Sequence, residues 1–234
     1  MMKQVPGIRG QGSGLRIEWI VKRGGVLFTA ALLSVCALAQ QPTAKDLAAR
    51  VDKHYNALTS LKAAFVESYQ GMGIKRTESG TLYLAKPGRM RWEYSQPAGK
   101  VFVLDGKFAW FYAEGDPQVQ RLQAKQLDDL RSPLRFLLGH TQLEKELNGL
   151  AVTPVASGGF TLTGQPRGQE NRVRRIALSV EADGAITGIE IEEMDGALTR
   201  FRLSGQQPNI AVPAGIFHFT PPVGVPVVDA APPV

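Results

Sequence analysis

The sequence predicts a mainly β protein whose strands run antiparallel, as a barrel or a strongly curved sheet. Three observations predict it. Short segments rich in β-branched and aromatic residues recur at roughly ten-residue spacing. The joints between them are Gly, Pro and Asp-Gly turns. Only two stretches carry a helical period. About eleven strands follow from this spacing.

The chain opens on a segment that does not belong to that fold. Lys22-Arg23 precede an apolar run from Gly25 to Ala39, and Gln40-Gln41-Pro42 follow it. A charged flank, a short apolar stretch and an Ala37-x-Ala39 site form the pattern of a cleaved signal peptide. Spanning a bilayer takes about 20 apolar residues, and this run stops short. Residues 1–39 are therefore expected to be removed, leaving 40–234 as one exported, soluble domain. Cys36 is the only cysteine. Val35 before it is too bulky for a lipidation site, so Cys36 is expected to leave with the leader, and the mature chain is expected to lack disulfides.

The first helix is expected over residues 44–60. Leu47, Val51, Tyr55, Leu58 and Leu61 recur at three- and four-residue steps, and Lys45, Asp46, Arg50, Asp52 and Lys53 turn outward. Thr43 is placed to cap it, with Asp46 three residues on. Strands follow at 65–70, 77–85, 89–94, 100–104 and 108–113, separated by Gly71-Met-Gly73, Lys86-Pro-Gly88, Ser95-Gln-Pro-Ala-Gly99 and Asp105-Gly106. The clearest is Arg89-Met-Arg-Trp-Glu-Tyr94, where Met90, Trp92 and Tyr94 share one face and Arg89, Arg91 and Glu93 the other. The pattern breaks at Leu127–Leu138, which reads as a second helix capped by Ser132 with Pro133 at its first position. Strands resume at 150–155, 160–163, 174–180, 186–193, 198–203 and 217–220, with hairpins at Asp183-Gly184 and Asp195-Gly196. Pro221 to Val234 is expected to be an extended tail packing as an edge.

Charge excludes one class of function. Residues 1–39 carry Lys3, Arg9, Arg16, Lys22 and Arg23 against Glu18 alone, so without them the net charge falls from +6 to +2. A nucleic-acid partner loses its support. Enzymatic chemistry finds no footing either. His54, His140 and His218 are far apart, and no cysteine survives beside them for a zinc site. No nucleophile elbow and no phosphate-binding loop is present. Glu190 and Glu192 alternate with Ile189 and Ile191 as on a half-buried strand. No metal, cofactor or catalytic residue is expected.

The aromatic residues are the stronger signal. Trp92, Tyr94, Phe102, Phe108, Trp110, Phe111 and Tyr112 fall on three consecutive strands. Two readings stand side by side: a filled barrel core, or an apolar cavity covered by the helices.

The runs Gly80-Thr-Leu-Tyr-Leu-Ala-Lys-Pro-Gly-Arg-Met-Arg-Trp-Glu-Tyr94 and Val103-Leu-Asp-Gly-Lys-Phe-Ala-Trp-Phe-Tyr112 carry more than a fold class. With Ser132-Pro-Leu-Arg-Phe-Leu-Leu138, Asp195-Gly196 and Phe217-His-Phe-Thr-Pro-Pro-Val-Gly224, they resemble the outer-membrane lipoprotein carrier family, LolA. The resemblance runs in order from Leu47 through nearly all of the mature chain. It implies an incomplete antiparallel β-barrel with an α-helical lid over a hydrophobic cavity. It also implies a monomeric periplasmic chaperone that ferries acylated lipoproteins from the inner to the outer membrane. Its partners would be an inner-membrane ABC-type release complex and an outer-membrane lipoprotein receptor. On this resemblance the acyl cavity and lid comprise Phe65, Leu82, Leu84, Met90, Trp92, Tyr94, Val103, Trp110, Leu134, Phe136 and Leu137. Lys86, where the family usually has Arg, would latch the lid, as a point charge rather than a planar fork.

Three rivals share parts of this description. A receptor anchored through a lipidated Cys36 has the same architecture, a periplasmic amphiphile-sensing regulatory module can use the same half-barrel, and a hydrolase lacks its nucleophile and base. Intact mass of the exported protein separates the first two forms of the N-terminus: a chain beginning at Gln40 is expected, and a diacylglyceryl group on Cys36 overturns the soluble carrier.

Overall fold

A computed structural model describes residues 41–125, 137 and 142–230. The leader, Cys36, His140 and, apart from Leu137, the whole of the expected second helix (Leu134 and Phe136 included) lie outside the described residues. The unit spanning Gln40–Val234 is the one considered below.

Helix α1 runs Ala44–Ala57. Thr43 and Asp46 form the capping box expected of them: the Asp46 amide donates to Thr43 Oγ1 at 3.1 Å, and the Thr43 amide donates back to Asp46 Oδ2 at 3.1 Å. The Thr43 hydroxyl, which also donates to Asp46 Oδ2 at 2.7 Å, and then the Thr43 amide hold the Asp46 carboxyl below its ordinary pKa. Leu47, Val51 and Tyr55 are fully buried along one stripe. The helix stops three residues earlier than the periodicity suggests. Asn209 is the cause: its Oδ1 accepts from the Thr59 amide at 2.9 Å, and Ser60 Oγ donates to the Ile210 carbonyl. The chain is thereby drawn into a strand at Ser60, and Leu61 is buried from β1 instead of from α1.

Strands β1 (Ser60–Gly71), β2 (Ile74–Ala85), β3 (Arg89–Gln96), β4 (Ala98–Leu104), β5 (Phe108–Tyr112) and β6 (Val119–Gln123) form an antiparallel meander. A four-residue helix, α2 (Leu143–Glu146), leads into β7 (Leu147–Pro154), β8 (Phe160–Pro166), β9 (Val173–Val180), β10 (Ile186–Glu193) and β11 (Leu198–Pro208). β11 returns to pair with β1, and β12 (Val227–Asp229) lies parallel to β6. The order is β12-β6-β5-β4-β3-β2-β1-β11-β10-β9-β8-β7. With β12 and β7 at the two ends, the sheet is open, an incomplete barrel.

Two corrections to the strand list follow. The expected strand at 217–220 is instead a 3-10 turn over Ala214–Phe217, where Pro213 and Gly215 favour a tight turn over a ladder. The tail does supply an edge strand, β12, as expected. β6 is a strand that the periodicity does not reveal, because Val119-Gln-Arg-Leu-Gln123 buries Val119 and Leu122 three apart, which breaks the two-residue alternation of a simple strand.

The three Asp-Gly joints work alike. Asp105, Asp183 and Asp195 each accept from the amide two residues on, at 2.7, 2.9 and 2.9 Å. The glycine that follows has φ of 98°, 94° and 88°, a region that glycine enters without strain. Gly184 has a second reason: a Cβ there would lie 2.5 Å from the Arg50 carbonyl oxygen, so this turn seats directly on α1.

Gly80 is constrained by its neighbour rather than by its own dihedrals. β3 shifts register beside it, and a Cβ would collide with the Glu93 carbonyl oxygen. Gly80→Ala is expected to cost about 1–3 kcal/mol, as overpacking does; urea unfolding would show it as a lower midpoint with an unchanged slope.

Candidate functional site

Cross-strand register builds one continuous apolar inner face. Leu82 pairs with Trp92, Leu84 with Met90, Met90 with Leu104, Leu104 with Ala109, and Ala109 with Leu122. β1 contributes Leu61, Ala63 and Phe65, and β11 contributes Phe201 and Leu203. At its centre Phe65 stands edge-on to Trp92 at 4.6 Å and to Tyr94 at 5.0 Å, while Trp92 meets Phe201 at 5.5 Å. Edge-to-face geometry of this kind adds roughly 0.5–1.5 kcal/mol per pair beyond area burial. The Trp92 indole N–H donates to Met90 Sδ at 2.8 Å, so even its polar atom finds a soft partner within the face.

Phe65, Leu82, Leu84, Met90 and Trp92 are thus brought together on one surface, all at most 2 % exposed, with Tyr94 half-buried at its margin. Leu137 is fully buried in the same cluster, as are Leu47, Val51 and Tyr55 of α1. Leu134 and Phe136 fall outside the described residues. Phe201, Leu203 and Leu122 belong to the face although the sequence does not single them out. Phe201 and Leu203 are legible as alternate positions of a strand. What the sequence does not show is that β11 lies against β1.

Val103 and Trp110 are elsewhere. They pair with each other, and Val103 pairs with Arg91, which puts both on the outer surface, opposite to Met90 and Trp92. The segment after β11 covers them. Arg91 Nη1 donates to the Ile216 carbonyl at 3.4 Å, the Arg89 guanidinium lies 5.3 Å from the Phe217 ring, and Trp110 meets Phe219 at 5.6 Å. Their aromatic and branched character therefore serves the outer packing of the chain's own end. The expectation that both would face the cavity is corrected: a strand places successive side chains on opposite faces, and these two stand directly beside inward Leu104 and Ala109.

Lys86 reaches a helix, and that helix is α1. Its ammonium donates to the carbonyls of Tyr55 and Asn56, both at 2.8 Å. Both carbonyls belong to the last turn of α1, where the Leu58 amide also donates to the Tyr55 carbonyl at 3.3 Å, and the negative end of the helix dipole attracts the cation. Desolvation pulls the Lys86 pKa below its ordinary value. Tyr55 is held a second time, because its hydroxyl accepts from the Ile186 amide at 3.0 Å. Burial pushes that phenol well above its ordinary pKa, so it stays protonated. One turn of helix thus bridges the β2–β3 turn and the start of β10. Towards its middle, Asp52 accepts from the Leu143 amide at 3.1 and 3.2 Å, which docks α2 on α1.

Residues 56–220 match the family model of the outer membrane lipoprotein carrier protein LolA. The chain belongs to the LolA family. It is 31% identical over 208 residues to the outer-membrane lipoprotein carrier protein of Cronobacter sakazakii, covering 87% of this chain and 97% of that one. It is 29% identical over 206 residues to the protein of the same name from Chromobacterium violaceum, covering 87% and 96%. Among solved structures, an uncharacterized conserved protein from Thermus thermophilus matches with a TM-score of 0.50 at 17% identity, over 80% of this chain and 99% of that one. That last likeness concerns the fold. Within the LolA family, the apolar inner face and the Lys86 grip on α1 are the two features on which a function can be built.

Lys86→Met is expected to leave the Tyr55 and Asn56 carbonyls without the ammonium and to cost about 1–2 kcal/mol. Hydrogen exchange checks it: amides of the last turn of α1 should become less protected, and Lys86→Arg should restore them.

Proposed function

We propose that this chain is a periplasmic carrier that holds the acyl chains of lipoproteins against its inner face and moves them from the inner to the outer membrane. The observation that carries the reading is an apolar face, centred on Phe65, Leu82, Met90 and Trp92, in an open sheet tied to its covering helix by a handful of polar bonds. Membership of the LolA family supports it, and the relatives named above bear the carrier's name. In this reading residues 1–39 are a cleaved export signal, residues 40–234 are the carrier domain, and the protein acts as a monomer. An inner-membrane ABC-type release complex supplies the cargo, and an outer-membrane receptor takes it.

Magnitudes set the mechanism. Each buried methylene contributes about 0.8 kcal/mol, so a multiply acylated protein does not leave a membrane for water at a useful rate unaided. A carrier must cover most of that chain and still let it go. The centre of the inner face is buried, with α1 and Leu137 supplying part of its cover, so cargo enters by displacing cover. Leu137 belongs to that cover and in this reading is the first part of it to give way, and Lys86 limits how far α1 follows. Apolar surface that opening uncovers is covered again by an acyl chain. The exchange is therefore close to balanced, and transfer to a better acceptor stays downhill. Enzymatic turnover has no part in this cycle, and energy for loading comes from the donor.

Co-purification tests the reading. Protein taken from its native periplasm is expected to carry acylated protein, identified by mass spectrometry. Leu137→Glu is expected to reduce that cargo at least tenfold, because a carboxylate at a fully buried apolar position disfavours the loaded state and the seated cover alike. Cargo retained at the wild-type level would reject Leu137 as part of the acyl site.

A further inference from the structure

The inner face changes character along the strands. It is apolar from Leu61 to Phe65 on β1 and from Leu84 to Leu82 on β2. Beyond Phe65 and Gly80, the next inward positions are Glu67 and Glu78, which oppose each other across the β1–β2 pair. Glu78 is 5% exposed. Lys100 Nζ donates to its Oε2, and Arg76 Nε lies 3.3 Å from its Oε1. The Tyr94 hydroxyl donates to Glu67 Oε2 at 3.2 Å, and the Lys100 ammonium stands 4.3 Å from the centre of the Tyr94 ring. Arg76 also reaches Glu67, at 4.0 Å. Two carboxylates and two cations leave the cluster without net charge. Tyr94 belongs to both regions, its ring against Phe65 and its hydroxyl on Glu67.

A methylene chain can replace apolar cover over Phe65 and Trp92 at little cost. It cannot replace an ion pair, since parting the cluster would leave a buried charge without a partner. We propose that Glu67, Glu78, Arg76, Lys100 and Tyr94 form the end wall of the acyl site and set the length of chain it accepts. The inference deepens the carrier reading and rests on it. Dimensions agree with it. Six residue steps separate Leu84 from Glu78 on β2, about 20 Å at the rise of an extended strand. One leaflet of a bilayer's hydrocarbon core is about 15 Å. A straight chain of about 15 Å laid along β2 with its methyl end toward the wall therefore fits between the α1 end of the strand and Glu78, and one longer than about 20 Å does not. The polar end of such a chain lies on the α1 side, where Lys86 stands.

The test is a length series. Straight-chain fatty acids of about 10 to about 20 carbons, bracketing membrane-lipid chains, displace a fluorescent acyl analogue from the full-length protein. Full burial of a methylene corresponds to about fourfold in affinity per carbon. Wild type is expected to gain at that rate until the extended chain reaches about 20 Å and then to level off. The double variant E78L/K100M removes both members of the tightest pair, an exchange that proteins often tolerate, and circular dichroism checks that it folds. Its affinity is expected to go on rising to the longest chain. A wild-type series without a break overturns the wall, whatever the variant does, and so does a folded variant with the wild-type break. Wild-type protein that binds no chain of any length overturns the carrier reading itself.

Discussion

An open sheet cannot cover its own inner face. A closed barrel fills its interior from all sides, but a sheet that ends at β12 and β7 leaves an apolar concavity that something else must bury. Here α1 and Leu137 supply part of that cover. The rest of the architecture answers this one requirement. Asn209 ends the helix and starts β1, the Gly184 turn accepts the helix backbone at close range, and Lys86 and Ile186 grip the last turn from two parts of the sheet. Hydrophobic burial holds the cover down without direction, and the polar bonds decide where it sits.

Cover of this sort is reversible in a way that a closed core is not. The bonds described above that seat α1 run from its last turn and from Asp52 towards its middle, outside the strand-to-strand ladder, so breaking them does not disturb that ladder. In the proposed cycle, seating and opening differ by which apolar surface touches Phe65, Leu82, Met90 and Trp92. A protein whose job is to hold something greasy temporarily needs that near-balance, and a tightly interlocked interior would forfeit it. The outer surface behaves differently. Val103 and Trp110 are covered by the chain's own C-terminal segment, which Arg121 and Asp229 pin at 2.7 Å along β12. Nothing there has to open.

The charged cluster at the far end of the inner face fits the same division. Glu78 sits among residues that would otherwise be apolar, and its two cations come from β2 and β4. Such a group contributes little to stability against a well-packed hydrophobic alternative. Its value lies in being a surface that a hydrocarbon does not displace.

Local chemistry made much of this legible in advance. Thr43 and Asp46 named the start of α1, the Asp-Gly pairs named three hairpins, and the alternation Met90, Trp92, Tyr94 named one inward face. These are interactions within a few residues, so they are readable without any knowledge of the tertiary fold. It also carried the family pattern around Lys86-Pro-Gly-Arg. Long-range pairing decided the rest. Which way Val103 and Trp110 point depends on the register of β4 against β3, since one residue of slip exchanges the two faces of a strand. That Phe201 would complete the aromatic cluster depends on β11 returning to β1 across the whole chain. That Lys86 would grip α1 depends on where a turn between β2 and β3 comes to rest. Spacing along the chain records neighbours three or four apart, whereas pairings that reach across well over a hundred residues exist only once the sheet has formed.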